Sequence, residues 1–149
     1  MPRRIAAVLV VTLLLAAPVL ARRDQVPLET RGSVLIVEAS INQRVTGRFL
    51  LDTGASVCVV SKDTADEAGL SGRKDGQKIQ MTTASGARVE ATLGEARRID
   101  VGNMVARDVP VAVAPIPFPG LSGVIGLSFL RNFKYSIDHQ RGVLQLEND

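Results

Sequence analysis

From Val34 onward the chain breaks into short apolar runs separated by turn signals. Turn signals recurring at roughly eight to twelve residues leave little besides an all-β barrel or sandwich. Val34-Leu35-Ile36-Val37 reads as a strand, Asn42-Gln43 as a turn, Val45 to Leu51 as a second strand and Val57 to Val60 as a third. One helix interrupts the series over Lys62 to Ala68: Ser61 is its N-cap, Asp63, Asp66 and Glu67 are acidic, and Gly69 ends it. Ile79 to Thr83 and Arg88 to Leu93 flank Ala84-Ser85-Gly86-Ala87 and predict a hairpin. Gly102-Asn103 predicts a second, between Ile99–Val101 and Met104-Val105. Val109 to Ala114 is a further strand, with Pro110 suggesting an edge or entry position. Pro115, Pro117 and Pro119 stiffen the next loop. Leu121 to Ile125 is a short strand, Ser128 to Phe133 a helical turn or two, and Tyr135–Asp138 with Val143–Leu146 a last hairpin.

The first segment is an address. Met1-Pro2-Arg3-Arg4 is positive, Ile5 to Leu20 carries no charge, and Val19-Leu20-Ala21 offers small-to-medium residues for cleavage. That layout is a secretory signal peptide or, if retained, a membrane anchor through residues 5–21. Both readings place the remainder outside the cytoplasm, periplasmic or secreted. Residues 22–32 are polar, include Pro27 and read as a linker, which leaves 33–149 as one domain. The net charge of +3 owes two charges to Arg3 and Arg4; the rest of the chain has 16 basic against 15 acidic residues. With so near a balance, and 3% aromatic residues with no Trp, no nucleic-acid partner is expected. A single Cys and a single His exclude an internal disulfide and leave a zinc site poor in its usual ligands. Cys58 lies in an apolar run and reads as a buried, inert thiol; His139 lies in a polar turn and reads as solvated.

The residues that carry chemistry are Phe49-Leu50-Leu51-Asp52-Thr53-Gly54-Ala55-Ser56. A carboxylate follows three large apolar residues and precedes a small turn. Such a strand is buried, so the acid at its end is held in a partly dry place where ionisation costs more unless a partner compensates. Thr53 sets a hydroxyl beside it, and Gly54 lets the backbone turn and another segment approach closely. A structural reading of the same triplet is a β-turn in which Asp52 caps backbone N–H groups.

Asp52-Thr53-Gly54 behind apolar residues resembles the active-site loop of aspartic peptidases. Val124-Ile125-Gly126, 74 residues on from Asp52 at its glycine, resembles the segment that braces that loop in retropepsin-like peptidases. The bacterial single-domain members of that group, often carried behind a signal or anchor, are the nearest in layout. The resemblance implies a closed six-stranded acid-protease barrel with one or two short helices and a flap hairpin. It implies that Asp52 is catalytic, that Thr53 and Gly54 support the loop, and that Thr83, Ala84, Ser85 and Gly86 form a flap over a peptide or protein substrate. It also implies an aspartic endopeptidase, needing no metal or other cofactor, in which two Asp52 carboxylates meet across a homodimer: two acids about 3 Å apart share one proton, and this chain has one such triplet. Met81, Ile116, Phe118 and Val124 are apolar candidates for substrate subsites. Ser56 stands where many retroviral relatives carry Asp, and the flap tip has no aromatic residue. The rival is a non-catalytic extracytoplasmic module on the same fold that binds peptides or serves assembly.

Overall fold

Strands rich in Val, Ile and Leu bury their amides with their side chains, and a buried unpaired amide costs about as much as the burial gains, so they must pair. In the computed structural model, which describes residues 23–70, 76–83 and 85–148, they do so in two sheets. The elements in chain order are β1 (Arg23–Pro27), β2 (Glu29–Arg31), β3 (Val34–Ile41), β4 (Val45–Leu51), β5 (Cys58–Val60), α1 (Lys62–Glu67), β6 (Lys78–Thr82), β7 (Arg88–Val101), β8 (Met104–Val113), β9 (Gly123–Ile125), α2 (Leu127–Leu130), β10 (Lys134–Asp138) and β11 (Val143–Glu147). The segment 1–21 read as signal or anchor, residues 71–75 and the flap residue Ala84 lie outside the described residues. Among the described residues no helix is long and apolar enough to cross a membrane.

The larger sheet runs β2-β3-β4-β9-β5-β8-β7-β6, and β3 also pairs with β7 through Ser40 opposite Asp100 and Ile41 opposite Ile99. Following β3, β4, β9, β5, β8 and β7 therefore returns to β3. Six strands close a ring, as expected, and closure leaves no long exposed edge within it. The second sheet is small, with β11 between β1 and β10.

One insertion positions everything that follows. β4 and β5 are consecutive in sequence, yet β9 lies between them, parallel to β4 and antiparallel to β5. The chain from Asp52 to Val57 must therefore arch over the end of β9.

Alternation divides the apolar residues between two faces. Phe49 and Leu51 of β4, Cys58 and Val60 of β5, and Ile125 of β9 point into the main core with Phe129 and Leu130 of α2. Full burial of a large aliphatic or aromatic side chain contributes about 1.5–3 kcal/mol. The opposite face carries a second group, in which Val59, Ala91, Ala112 and Ala114 are buried.

Residues 23–31, read as linker, are strands. Only Val26 of β1 is buried and β2 is wholly exposed, so neither carries an apolar pattern. They are held by main-chain pairing with β11 and β3, by an Arg23–Glu147 ion pair at 3.0 Å, and by the Asp24 carboxylate, which accepts from the Asn103 N–H at 2.6 Å. The hairpin strands after the flap merge into long β7 and β8. Their ladder skips Arg97 and Asp108, Asp108 has φ 51°, and the buried alternation changes phase there: Ala96 and Ile99, and Ala106 and Val109, are all buried. Pro110 is in a strand with neighbours on both sides, but the pairing with β5 starts only at Val111. Its missing N–H thus falls where β8 has one neighbour.

Candidate active site

Asp52 is the first residue past β4, and its N–H donates to the Ile125 carbonyl at 3.0 Å, continuing the ladder between β4 and β9 by one bond. The side chain is half-buried. The Asp52 carboxylate accepts from the Gly54 N–H at 2.8 Å, and the Asp52 carbonyl from the Ala55 N–H at 3.3 Å, so the turn closes on its own acid. One carboxylate oxygen is held this way. Thr53, Gly54 and Ser56 are exposed, and so the outer surface of the loop is free to meet another molecule.

The brace lies beneath. Leu127 N–H donates to the Ala55 carbonyl at 2.8 Å, and Cys58 N–H to the Ser128 hydroxyl at 2.8 Å. Gly126 N–H donates to Cys58 Sγ at 3.4 Å. A Cβ on Gly126 would stand 2.7 Å from the carbonyl oxygens of both Ala55 and Val57, so only glycine lets the loop rest on β9. Burial pushes the Cys58 thiol up, and the Ser128 hydroxyl, which lowers it, does not cancel that effect; the group stays a neutral thiol inside the support. From the C-cap of α2 the exposed Arg131 reaches back, donating from Nε to the Leu127 carbonyl at 3.1 Å and from Nη2 to the Ser56 carbonyl at 3.3 Å.

The second apolar face leads away from this loop. Leu50, Val124, Val59, Ala112 and Leu93 are successive partners across β4, β9, β5, β8 and β7. Val57, Ile79, Met81, Leu93, Ile116 and Val124 are partly buried around it. Three of the four expected subsite residues, Met81, Ile116 and Val124, gather there. Phe118 does not: it is 38% exposed on the proline-stiffened loop. Beyond this face rise β6 and β7 as a hairpin. Thr83 N–H donates to the Ala87 carbonyl at 2.8 Å and Gly86 N–H to the Thr83 carbonyl at 2.9 Å, with Gly86 at φ +82° and the Thr83 and Ser85 hydroxyls 2.9 Å apart. Thr83, Ser85 and Gly86 thus form one turn.

The structure brings Asp52, Thr53, Gly54, Val124, Ile125 and Gly126 together, with the hairpin of Thr83, Ser85 and Gly86 at the far side of the apolar face. Ser128 and Arg131, which tie α2 to the loop, had no signal in the sequence beyond the short helix that carries them. Among the described residues, no three His, Cys, Asp or Glu side chains cluster as a metal site. His139 is exposed in the turn between β10 and β11.

Residues 37–132 match the family described as "gag-polyprotein putative aspartyl protease". No curated protein matches the chain in sequence. Among solved structures, the crystal structure of a retropepsin-like aspartic protease from Rickettsia conorii is similar with a TM-score of 0.65 and 22% identity, covering 86% of this chain and 92% of that one.

Proposed function

The chain belongs to this gag-polyprotein aspartyl protease family and has a retropepsin-like fold, and on that premise we propose that it is an aspartic endopeptidase whose site is completed by a second copy of itself. The observation that carries the proposal is the placement of Asp52: a half-buried carboxylate at a strand end, on a loop with an exposed outer surface, at the head of an apolar face.

One chain supplies one such acid. Two copies related by a two-fold axis, with the Thr53-Gly54 surfaces facing, bring two Asp52 side chains to one point. Like charges at that separation cannot both persist, so the pair holds one proton. The ionised Asp52 takes a proton from a water, whose oxygen attacks the peptide carbonyl carbon. The protonated Asp52 donates to the carbonyl oxygen, giving a tetrahedral diol. Collapse breaks the C–N bond as a proton passes to the leaving nitrogen. Thr53 and Gly54 hold the loops in register. Thr83, Ala84, Ser85 and Gly86 act as the flap, giving backbone hydrogen bonds to an extended peptide lying on the apolar face. No metal or organic cofactor takes part in these steps. The positive start and apolar run of residues 1–21 support a periplasmic or secreted site of action, with attachment to the membrane through residues 5–21 if the segment is retained.

The test is cleavage of a peptide library by the full chain beside Asp52→Asn over a range of protein concentrations. Cleavage that vanishes in the variant and rises faster than linearly with wild-type concentration is expected. Cleavage that survives in the variant overturns the assignment of Asp52.

A further inference from the structure

Arg131 is bound to the active-site loop, yet among the described residues it has no ion-pair partner. Its guanidinium rests on two main-chain carbonyls, Leu127 at 3.1 Å and Ser56 at 3.3 Å. None of the ion pairs among the described residues includes it. A guanidinium has five N–H donors, and the two bonds leave the rest of this exposed fork directed to solvent. The Ser56 carbonyl belongs to the peptide bond that joins Ser56 to Val57, and Val57 packs on the apolar face described above. A fixed, unneutralised cation therefore stands one peptide unit from the surface on which an extended substrate would lie. Ser56 itself is exposed and uncharged, and supplies no carboxylate to quench it.

We propose that Arg131 is a specificity-determining residue that favours an acidic side chain at one position of the bound peptide, beside the positions that fill the apolar face. The inference rests on the peptide-binding surface assigned under Proposed function. Two anchoring hydrogen bonds pre-organise the guanidinium, so a carboxylate arriving there immobilises only one further side chain. The contact is solvent-exposed, so the discrimination is modest: an acid is preferred over its amide by about three- to fivefold at low salt, and less as salt screens the pair.

The experiment measures binding, on the Asp52→Asn background so that peptides stay intact. Peptides with an apolar centre carry Glu, Gln or Lys at one flanking position at a time. The account expects one position at which Glu binds about three- to fivefold tighter than Gln. That ratio falls to about one in Arg131→Gln, and Arg131→Glu reverses it in favour of Lys. If Arg131 only braces the loop, its replacement weakens Glu and Gln peptides alike and keeps their ratio, which overturns the proposal. Equal binding of Glu and Gln at every position, or no binding of any peptide, overturns it as well. The endopeptidase reading fails by a separate sign, the absence of Asp52-dependent cleavage by wild type.

Discussion

Replacing Gly126 by Ala isolates the contact on which the catalytic loop depends. The backbone there is extended, with φ −116° and ψ −166°, so alanine meets no torsional penalty. The penalty is contact: the new methyl would lie 2.7 Å from the Ala55 and Val57 carbonyl oxygens and 3.1 Å from Ala55 Cβ. Both oxygens are main chain and cannot rotate away. The loop must rise by about half an ångström or more, stretching the 2.8 Å Leu127–Ala55 bond and the 3.0 Å Asp52–Ile125 bond that seat the carboxylate. Overpacking of this kind costs about 1–3 kcal/mol. At about 2 kcal/mol the melting temperature falls by roughly 5–12 °C. Cleavage falls further than stability does, because a misplacement near 1 Å at a reacting group costs about a hundredfold. Thermal denaturation and kcat/KM are measured beside Gly94→Ala, whose new methyl would meet only Val111 Cγ2 at 3.8 Å. Wild-type stability and activity in Gly126→Ala would refute the reasoning.

Other substitutions test the scaffold around the site. Asn42, at φ 52°, donates from Nδ2 to the Ala68 carbonyl at 3.0 Å and accepts from Arg98 N–H at 3.1 Å, so Asn42→Ala should lose about 2–3 kcal/mol in urea denaturation with the slope unchanged. Ser61 caps α1 by accepting from Thr64 N–H at 3.1 Å, and Ser61→Ala should cost about 1 kcal/mol by the same measurement. Cys58 should resist iodoacetamide at pH 8 in the folded chain and react once urea unfolds it; labelling at the rate of a free thiol in native conditions would contradict its burial. Because burial raises its pKa, the folded state holds the proton longer than the unfolded one. Its contribution to stability is therefore complete below the ordinary thiol range and declines as pH rises past about 8.5.

Local chemistry made much of this fold legible. Ser61 and Gly69 bracket α1 because a side-chain acceptor and a left-handed residue are demanded at those points, and Gly69 does adopt φ +72°. Asn42-Gln43 both take positive φ in the turn they predict. Asp52 stands out because a carboxylate after three apolar residues needs a reason. What escaped the sequence was non-local. The edge strands β1 and β2 bury almost no side chain, so they leave no alternation to read. The slot of β9 between β4 and β5 is a pairing across more than sixty residues, invisible to any window. The run Val57-Cys58-Val59-Val60 is apolar throughout because it serves two faces, Cys58 and Val60 the main core and Val57 and Val59 the second apolar group. Phe118 reads like its neighbour Ile116, and only the path of the loop separates them.

The central claim is that the active unit needs Asp52 from two copies. Subunit mixing tests it most directly: wild type and Asp52→Asn are combined in equal amounts at constant total concentration, allowed to exchange, and assayed on one peptide. If both carboxylates are required, only dimers with two wild-type chains cleave, and random pairing leaves about one quarter of the wild-type rate. A mixture that retains about half the rate would mean that each chain acts with its own carboxylate alone, and the shared site would be wrong.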